Sequence, residues 1–246
     1  MMARAALVLF ALLAVPRVAW GAEPLVADLT SHLIGITTGF TGTSMVLFGA
    51  TDGPGDIVGS VRGPERDLVV RRKSRIAGIW VNTSESTFPN TPSFYSLATN
   101  RPLDQIASAS VRALHQIGLD NMRIAAKEKL PPEEASAFRA ALIRTQQRDG
   151  LFAREPGKVT FLGDRLFRTS ISFPSNVPTG TYLVEVYLLR DGNVVSGQTI
   201  PLDVSQVGIG AEVYDFATRW ALLYGIIAVI AAAMAGWLAS LPFRRA

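Results

Sequence analysis

The chain has 246 residues, with 24 lysines and arginines against 20 acidic residues, two histidines and no cysteine. Without cysteine, this sequence offers no disulfide, no thiol nucleophile, no thiolate metal ligand and no cysteine-linked lipid anchor. The mean hydropathy of +0.26 is high for a soluble protein, and the apolar excess lies at the two ends of the chain. The length is sufficient for one large or two small domains.

Residues 1–22 have the layout of a secretory signal peptide. Arg4 precedes an apolar run at residues 5–15, which is followed by a proline and by small residues. This run is too short to cross a hydrocarbon core, which needs about 20 residues. We therefore predict export of the body and cleavage after Gly21 or Ala22. An uncleaved N-terminal anchor is the alternative.

Residues 24–98 predict antiparallel strands, because short β-branched or apolar runs recur between turn residues roughly every 10 to 13 positions. The predicted strands are residues 33–37, 44–48, 57–61, 68–72 and 76–81. Strands are predicted again from residue 159 onward, where Phe167, Thr169, Ile171 and Phe173 alternate with polar residues. Asp191 and Gly192 predict a tight hairpin turn after the next strand.

Residues 101–150 change to a helical period and predict a helical insertion. One helix is predicted with its apolar face at Ile106, Ser110, Ala113 and Ile117, ending at Gly118. A second helix is predicted to begin at Pro131 and Pro132 and to end at Gly150. We interpret residues 23–212 as one domain interrupted by this insertion. Two small domains are the alternative.

The segment VPTGTYLVEVYLL, residues 177–189, resembles the turn that opens strand F of immunoglobulin-like sandwiches. In that turn a Gly-x-Tyr sequence places a tyrosine corner, here Tyr182, and Val184 stands where antibody domains carry a cysteine. Tyr182, Val184, Val186 and Leu188 are predicted to face the core. The predicted fold is therefore mostly β, an Ig-like antiparallel β-sandwich with a helical insertion, followed by one C-terminal transmembrane helix.

Residues 220–243 contain no charged side chain, and as a helix these 24 residues extend about 36 Å, enough to cross a bilayer. The predicted transmembrane helix covers residues 218–243. Arg244 and Arg245 follow it and predict that the tail, residues 244–246, is cytoplasmic. Together with the signal peptide, this orientation predicts a single-pass protein of the inner (plasma) membrane with a periplasmic domain.

The exported domain is predicted to be close to neutral. Arg4 and Arg17 leave with the signal peptide, and Arg244 and Arg245 belong to the tail. Without these four, 20 of the 24 basic residues remain, equal to the 20 acidic ones. A domain without excess positive charge does not favour nucleic acid as a partner.

A search for catalytic motifs finds none. His32 and His115 are 83 residues apart and lack the closely spaced partners of a zinc site. The serines at positions 44 and 60 miss the Gly-x-Ser-x-Gly pattern, and the glycines at residues 53–59 lack the lysine of a phosphate-binding loop. We predict no catalytic residue, no metal and no cofactor, and an enzyme is not the favoured class.

The stretch VVRRKSRIAGIWVN, residues 69–82, is the one segment whose residues indicate a binding site. In an extended strand, the period of two places Arg71, Lys73 and Arg75 on one face, with Trp80 and Asn82 following. Three neighbouring cations predict a site for an anion, for anionic headgroups or for an acidic protein. The alternative is a solvated edge strand that blocks aggregation, with Trp80 in the core.

The predicted transmembrane helix also carries small residues every fourth position: Ala228, Ala232, Gly236 and Ser240. Such a stripe allows a second helix to pack closely. The alternative is that alanine simply fills an apolar helix.

The signal peptide, residues 67–82, the helical middle, residues 177–189 and the C-terminal helix ending in arginine together resemble an alphaproteobacterial putative transmembrane protein family. The resemblance covers nearly the whole chain. It implies no catalytic residues, and it implies as candidate partner a permease of the sulfite-exporter type. We therefore predict an accessory or binding module for another inner-membrane protein, with such an anion transporter as the candidate partner. A membrane-anchored envelope hydrolase and a purely structural envelope protein are the alternatives.

Overall fold

A computed structural model of the protein describes residues 23–240. The predicted signal peptide with its cleavage site and the predicted tail, residues 244–246, lie outside these residues. Ten strands of the described chain form two β-sheets that pack face to face, as the sequence predicts for a β-sandwich.

The first sheet has four antiparallel strands, and the second has six. The order in the first is β1 (Leu25–Leu29), β3 (Gly42–Thr51), β10 (Leu166–Pro174), β9 (Thr160–Leu162). The order in the second is β2 (Leu33–Ile36), β12 (Asn193–Gln206), β11 (Gly180–Arg190), β4 (Asp56–Arg62), β7 (Tyr95–Thr99), β8 (Gly157–Lys158). The pairs β2–β12 and β7–β8 are parallel, and the others are antiparallel. This is the ABED and GFC arrangement of an immunoglobulin-like sandwich.

Alternating side chains of both sheets fill the space between them. Tyr182, Val184, Val186 and Leu188 are fully buried there, which confirms the prediction for that strand. Phe167 and Ile171 face the same core from the other sheet. Each large apolar side chain removed from water contributes roughly 1.5–3 kcal/mol, and this core holds the fold in a chain that has no disulfide.

Helices lie between β7 and β8 in the chain and cover the outer face of the six-stranded sheet. They are α1 (Leu103–Ile106), α2 (Ala109–Leu114), a 3-10 turn (Leu119–Asn121) and α3 (Pro132–Arg148). The first predicted helix is wrong in extent, because the chain is extended at Ala107 and the Ser108 hydroxyl caps a new helix by accepting from the Val111 N–H. The second predicted helix is confirmed, with Phe138 and Leu142 buried against the sheet.

Strands β5 (Glu65–Ile76) and β6 (Ile79–Pro92) pair with each other and form a separate two-stranded sheet, inserted between β4 and β7. We refer to them as the hairpin. The prediction of a strand over residues 76–81 is wrong, because Ala77 and Gly78 form the turn, with φ of 50° and 86°. Gly78 is therefore required by the turn and not by a close backbone approach, since a Cβ there would meet no atom within 4 Å.

Two helices follow the last strand: α4 (Ile209–Arg219) and α5 (Ala221–Ser240). The segment Ala221–Ala239 has a mean hydropathy of 2.2, and none of it is buried against the rest of the protein. By length and composition α5 is able to cross a membrane. Residues 241–243 of the predicted span lie outside the described part of the chain.

Candidate functional site

The hairpin brings the five predicted site residues onto one of its faces. In the register, Lys73 lies opposite Asn82 and Arg75 lies opposite Trp80. Residues directly opposite each other in an antiparallel pair point to the same side, and alternate residues on one strand do so as well. Arg71, Lys73 and Arg75 therefore form one line, which we call the cationic row, with Trp80 and Asn82 beside it.

The cationic row is only partly neutralised by its own chain. Arg71 Nε donates to Glu85 Oε2 at 3.0 Å, and both side chains are more than half exposed, so this pair contributes little to stability. Arg75 Nε donates to the carbonyl oxygen of Gly78 at 3.2 Å. Within residues 23–240, no ion pair involves Lys73 or Arg75. The row thus retains net positive charge toward solvent.

Arg72 points to the opposite face and holds the hairpin against α3. Its guanidinium lies 4.9 Å from the centroid of the Phe138 ring, and Nη1 lies 3.4 Å from Glu134 Oε1. A cleft of about 490 Å³ between the hairpin and α3 is also lined by Arg144. No sequence pattern predicts this contact, because Arg72, Glu134 and Phe138 come together only after the helices have packed onto the sheet.

The end of the hairpin is apolar and uncovered. Its exposed fractions are Ile76 57%, Ile79 68%, Trp80 66% and Val81 37%. We call these four residues the apolar tip. The placement of Trp80 in the core, one part of the alternative, is wrong, and the interpretation of the stretch as a solvated strand that blocks aggregation stays a prediction. The chain reverses at residues 77–78 in a place where neither sheet of the sandwich covers it.

The hairpin leaves the sandwich at the end from which β12 continues toward α5. Arg62, the last residue of β4, pairs with Leu183 near the start of β11, and Val204 near the end of β12 pairs with Gly180. Arg66 Nη2 donates to the carbonyl oxygen of Thr179 at 2.9 Å and fixes the base of the hairpin at this corner. The hairpin base and the approach to α5 therefore lie at the same end of the molecule.

The two histidines have separate neighbours in the structure. His32 Nε2 lies 3.0 Å from Asp28 Oδ1, and both side chains are about half exposed. The His115 ring packs 5.0 Å from that of Tyr187. Burial, together with the neighbouring Glu185 carboxylate, raises the pKa of Tyr187 to about 12. A phenol with such a high pKa is a poor proton donor at neutral pH.

A cleft of about 750 Å³ lies at the other end of the sandwich, beside the Asp191–Gly192 turn. Two of its charged side chains, Asp56 and Arg101, bind each other, and Arg190 binds Asp52, which lies outside the lining. Among residues 23–240, no three histidine and acidic side chains are grouped as metal ligands. The described geometry thus gives no chemical step to propose.

The small residues of α5 lie on one side of the helix. Ala228, Ala232 and Gly236 are exposed and separated by four positions, as a close-packing helix face requires. The Ser240 side chain, which the sequence adds to this stripe, lies outside what the structure describes.

The β-sandwich and the exposed apolar helix place the chain in the class of membrane proteins in which a β-sandwich precedes a C-terminal helix able to cross a membrane. The chain belongs to the family described as Putative transmembrane protein (Alph_Pro_TM), whose model matches residues 24–245. This confirms the resemblance found in the sequence. None of the curated proteins compared with the chain matches it.

Proposed function

We propose that the protein is an accessory subunit of another integral membrane protein. Helix α5 anchors it and packs against a helix of that partner, while the sandwich acts as a binding module at the membrane surface. The signal-peptide pattern of residues 1–22 and the arginines at 244 and 245 support a periplasmic sandwich, an inner-membrane anchor and a cytoplasmic C-terminus.

The exposed small-residue face of α5 carries this proposal. No residue from 221 to 239 is covered by the sandwich. Lipid can surround any apolar helix, but backbone-to-backbone contact requires a face without bulky side chains. The face at Ala228, Ala232 and Gly236 meets that requirement, whereas Ile230, half a turn away, presents a bulky side chain.

The cationic row supports an anion transporter as the partner. Three neighbouring cations on a domain that is neutral as a whole raise the local concentration of small anions near the membrane surface. A permease of the sulfite-exporter type is the candidate that the family resemblance implies. The effect is electrostatic and should weaken as ionic strength rises, because the screening length falls to about 8 Å at physiological salt.

Site-specific photo-crosslinking in native membranes tests the proposal. A photoreactive phenylalanine at Ala232 should give a protein adduct of one discrete mass, and the same group at Ile230 should give none. Gly236→Leu should abolish the Ala232 adduct, while Ile230→Leu should leave it intact.

Three results would contradict the accessory role. They are equal labelling from both faces, an adduct between two copies of this chain, and no protein adduct from either position. Mass spectrometry of the adduct identifies the partner and decides whether it transports an anion.

A further inference from the structure

The apolar tip has no cover within the described chain. Ile76 and Ile79 lie opposite each other across the turn, and Trp80 and Val81 follow on β6. In this register Trp80 lies on the face of the cationic row, and Ile76, Ile79 and Val81 lie on the opposite face, so both faces of the hairpin are apolar at the turn. An exposed apolar group of this kind, bordered by charge, is typical of a surface that is buried against something else.

The order of side chains along the hairpin matches the layers of a membrane surface. The isoleucines come first, Trp80 comes next with Arg75 directly opposite, and Lys73 and Arg71 lie further from the turn on the same face. In a bilayer interface, apolar side chains enter the acyl region, tryptophan lies at the headgroup level, and cations attract anionic headgroups.

The dimensions allow the tip to reach the membrane that α5 enters. From Arg66 at the base to Ile76 at the turn, the hairpin extends about 33 Å at the usual rise of a strand. The connection from β12 to α5 consists of Val207, Gly208, α4 and Trp220, and α4, a helix of 11 residues, is about 16 Å long. The hairpin and this connection start from the same end of the sandwich. Because the hairpin is longer than α4, its tip is able to reach the surface of the membrane that α5 enters.

We propose that the apolar tip inserts into the lipid interface on the sandwich side of the membrane, with the cationic row against anionic headgroups. The insertion gives the sandwich a second attachment and fixes its orientation above the bilayer. This inference goes beyond the accessory role and does not depend on it, because it requires no partner protein. It can therefore hold if the partner proposal fails, and the reverse is also true.

Trp80 is the probe for the test. Replacing Trp20, Trp220 and Trp237 by phenylalanine leaves Trp80 as the sole tryptophan of the full-length chain. This protein is placed, one copy per disc, in nanodiscs of phosphatidylcholine with phosphatidylglycerol. Acyl chains brominated near the headgroup should quench Trp80, and aqueous acrylamide should quench it poorly.

Two results would overturn the proposal. Strong quenching by acrylamide without quenching by brominated lipid means that the tip remains in water. Protection from both quenchers means that protein covers the tip. A matched protein that keeps Trp237 alone shows that the lipid quencher reports on a membrane-embedded ring.

The headgroup contact is tested by charge removal. Arg71→Gln, Lys73→Gln and Arg75→Gln together should lower the ratio of inserted to free tip on the order of 100-fold at low salt, about fivefold for each cation. Three exposed arginines outside the hairpin provide the control, namely Arg123→Gln, Arg154→Gln and Arg165→Gln. An equal change in both triple variants, or no change in either, contradicts the headgroup contact.

Discussion

The hydroxyl of Tyr182 donates a 2.6 Å hydrogen bond to the carbonyl oxygen of Pro178, four residues earlier. The ring is fully buried between the sheets, and this burial raises the pKa of Tyr182 above its ordinary value. The bond closes the loop between β10 and β11. Because Arg66 binds the neighbouring Thr179 carbonyl, the tyrosine corner also fixes the place where the hairpin leaves the sandwich.

Tyr182→Phe should lower the free energy of unfolding by about 1 kcal/mol, because one buried hydrogen bond is lost while the ring is kept. Urea unfolding of the full-length chain in detergent, followed by circular dichroism, measures the change. Tyr214→Phe is the matched control, since Tyr214 is 66% exposed on α4 and should have almost no effect. Equal stability of Tyr182→Phe and the unmodified protein would contradict a stabilising corner.

Local patterns predicted the parts of the fold that depend on neighbouring residues in sequence. The period of two along residues 182–188 identified one face of the core, and Asp191–Gly192 identified a turn, with both residues at positive φ. The turn at Ala77–Gly78 was missed, because Ala is unusual at φ of 50° and the residues around it are as apolar as a strand. If residues 76–81 are taken as one strand, nothing in the sequence indicates that the Trp80 side chain lies outside the core.

The hairpin face could be predicted only in part. Alternation on a single strand gave Arg71, Lys73 and Arg75, but the positions of Trp80 and Asn82 beside them follow from the register across the turn. The attachment of Arg72 to α3 joins residues separated by 62 and 66 positions. Such contacts are decided by tertiary packing and leave no periodic signal in the sequence.

Arg72→Ala should loosen the hairpin without unfolding the sandwich. It removes the contact with the Phe138 ring and a partly exposed ion pair with Glu134, together worth about 1 kcal/mol. Amide hydrogen exchange in β5 and β6 should therefore become about fivefold faster if it proceeds by local opening. Lys73→Ala, on the other face of the same strand, is the control. Equal acceleration by both variants would show that Arg72 does not hold the hairpin.

Gln198 joins the two sheets at their edge. Its side chain accepts from the Ala27 N–H at 2.8 Å and donates to the Ala27 carbonyl at 2.9 Å, so it occupies the place of a neighbouring strand beside β1. Gln198→Leu should cost about 1–3 kcal/mol, because it leaves both backbone groups unpaired. At about pH 3, where a glutamic acid side chain is protonated and can both accept and donate, Gln198→Glu should cost less. Thermal unfolding of the two variants measures the difference, and equal losses would contradict the paired contact.

Acid should weaken the contact between Asp56 and the start of α1. Burial favours the neutral form of Asp56, but hydrogen bonds from Arg101 and Asn100 outweigh it and lower its pKa below the ordinary value of 3.8. A lowered pKa in the folded state means that the stabilisation is complete well above 3.8 and is lost as the pH falls through the folded-state value. Protonation of Asp56 should therefore begin to lower the free energy of unfolding below about pH 4.

Asp56→Asn should remove the acid-dependent part of this stabilisation. At pH 7 it should lower the free energy of unfolding by about 1 kcal/mol. The value is small because the Arg101 side chain is half exposed and solvent screens its charge. The difference from the unmodified protein should shrink as the pH falls below 3.8 and Asp56 becomes protonated in the folded state as well. Urea midpoints at a series of pH values measure it. Asp164→Asn, at an exposed turn, should show no such trend. A difference that persists unchanged at low pH would show that the contact does not depend on the carboxylate charge.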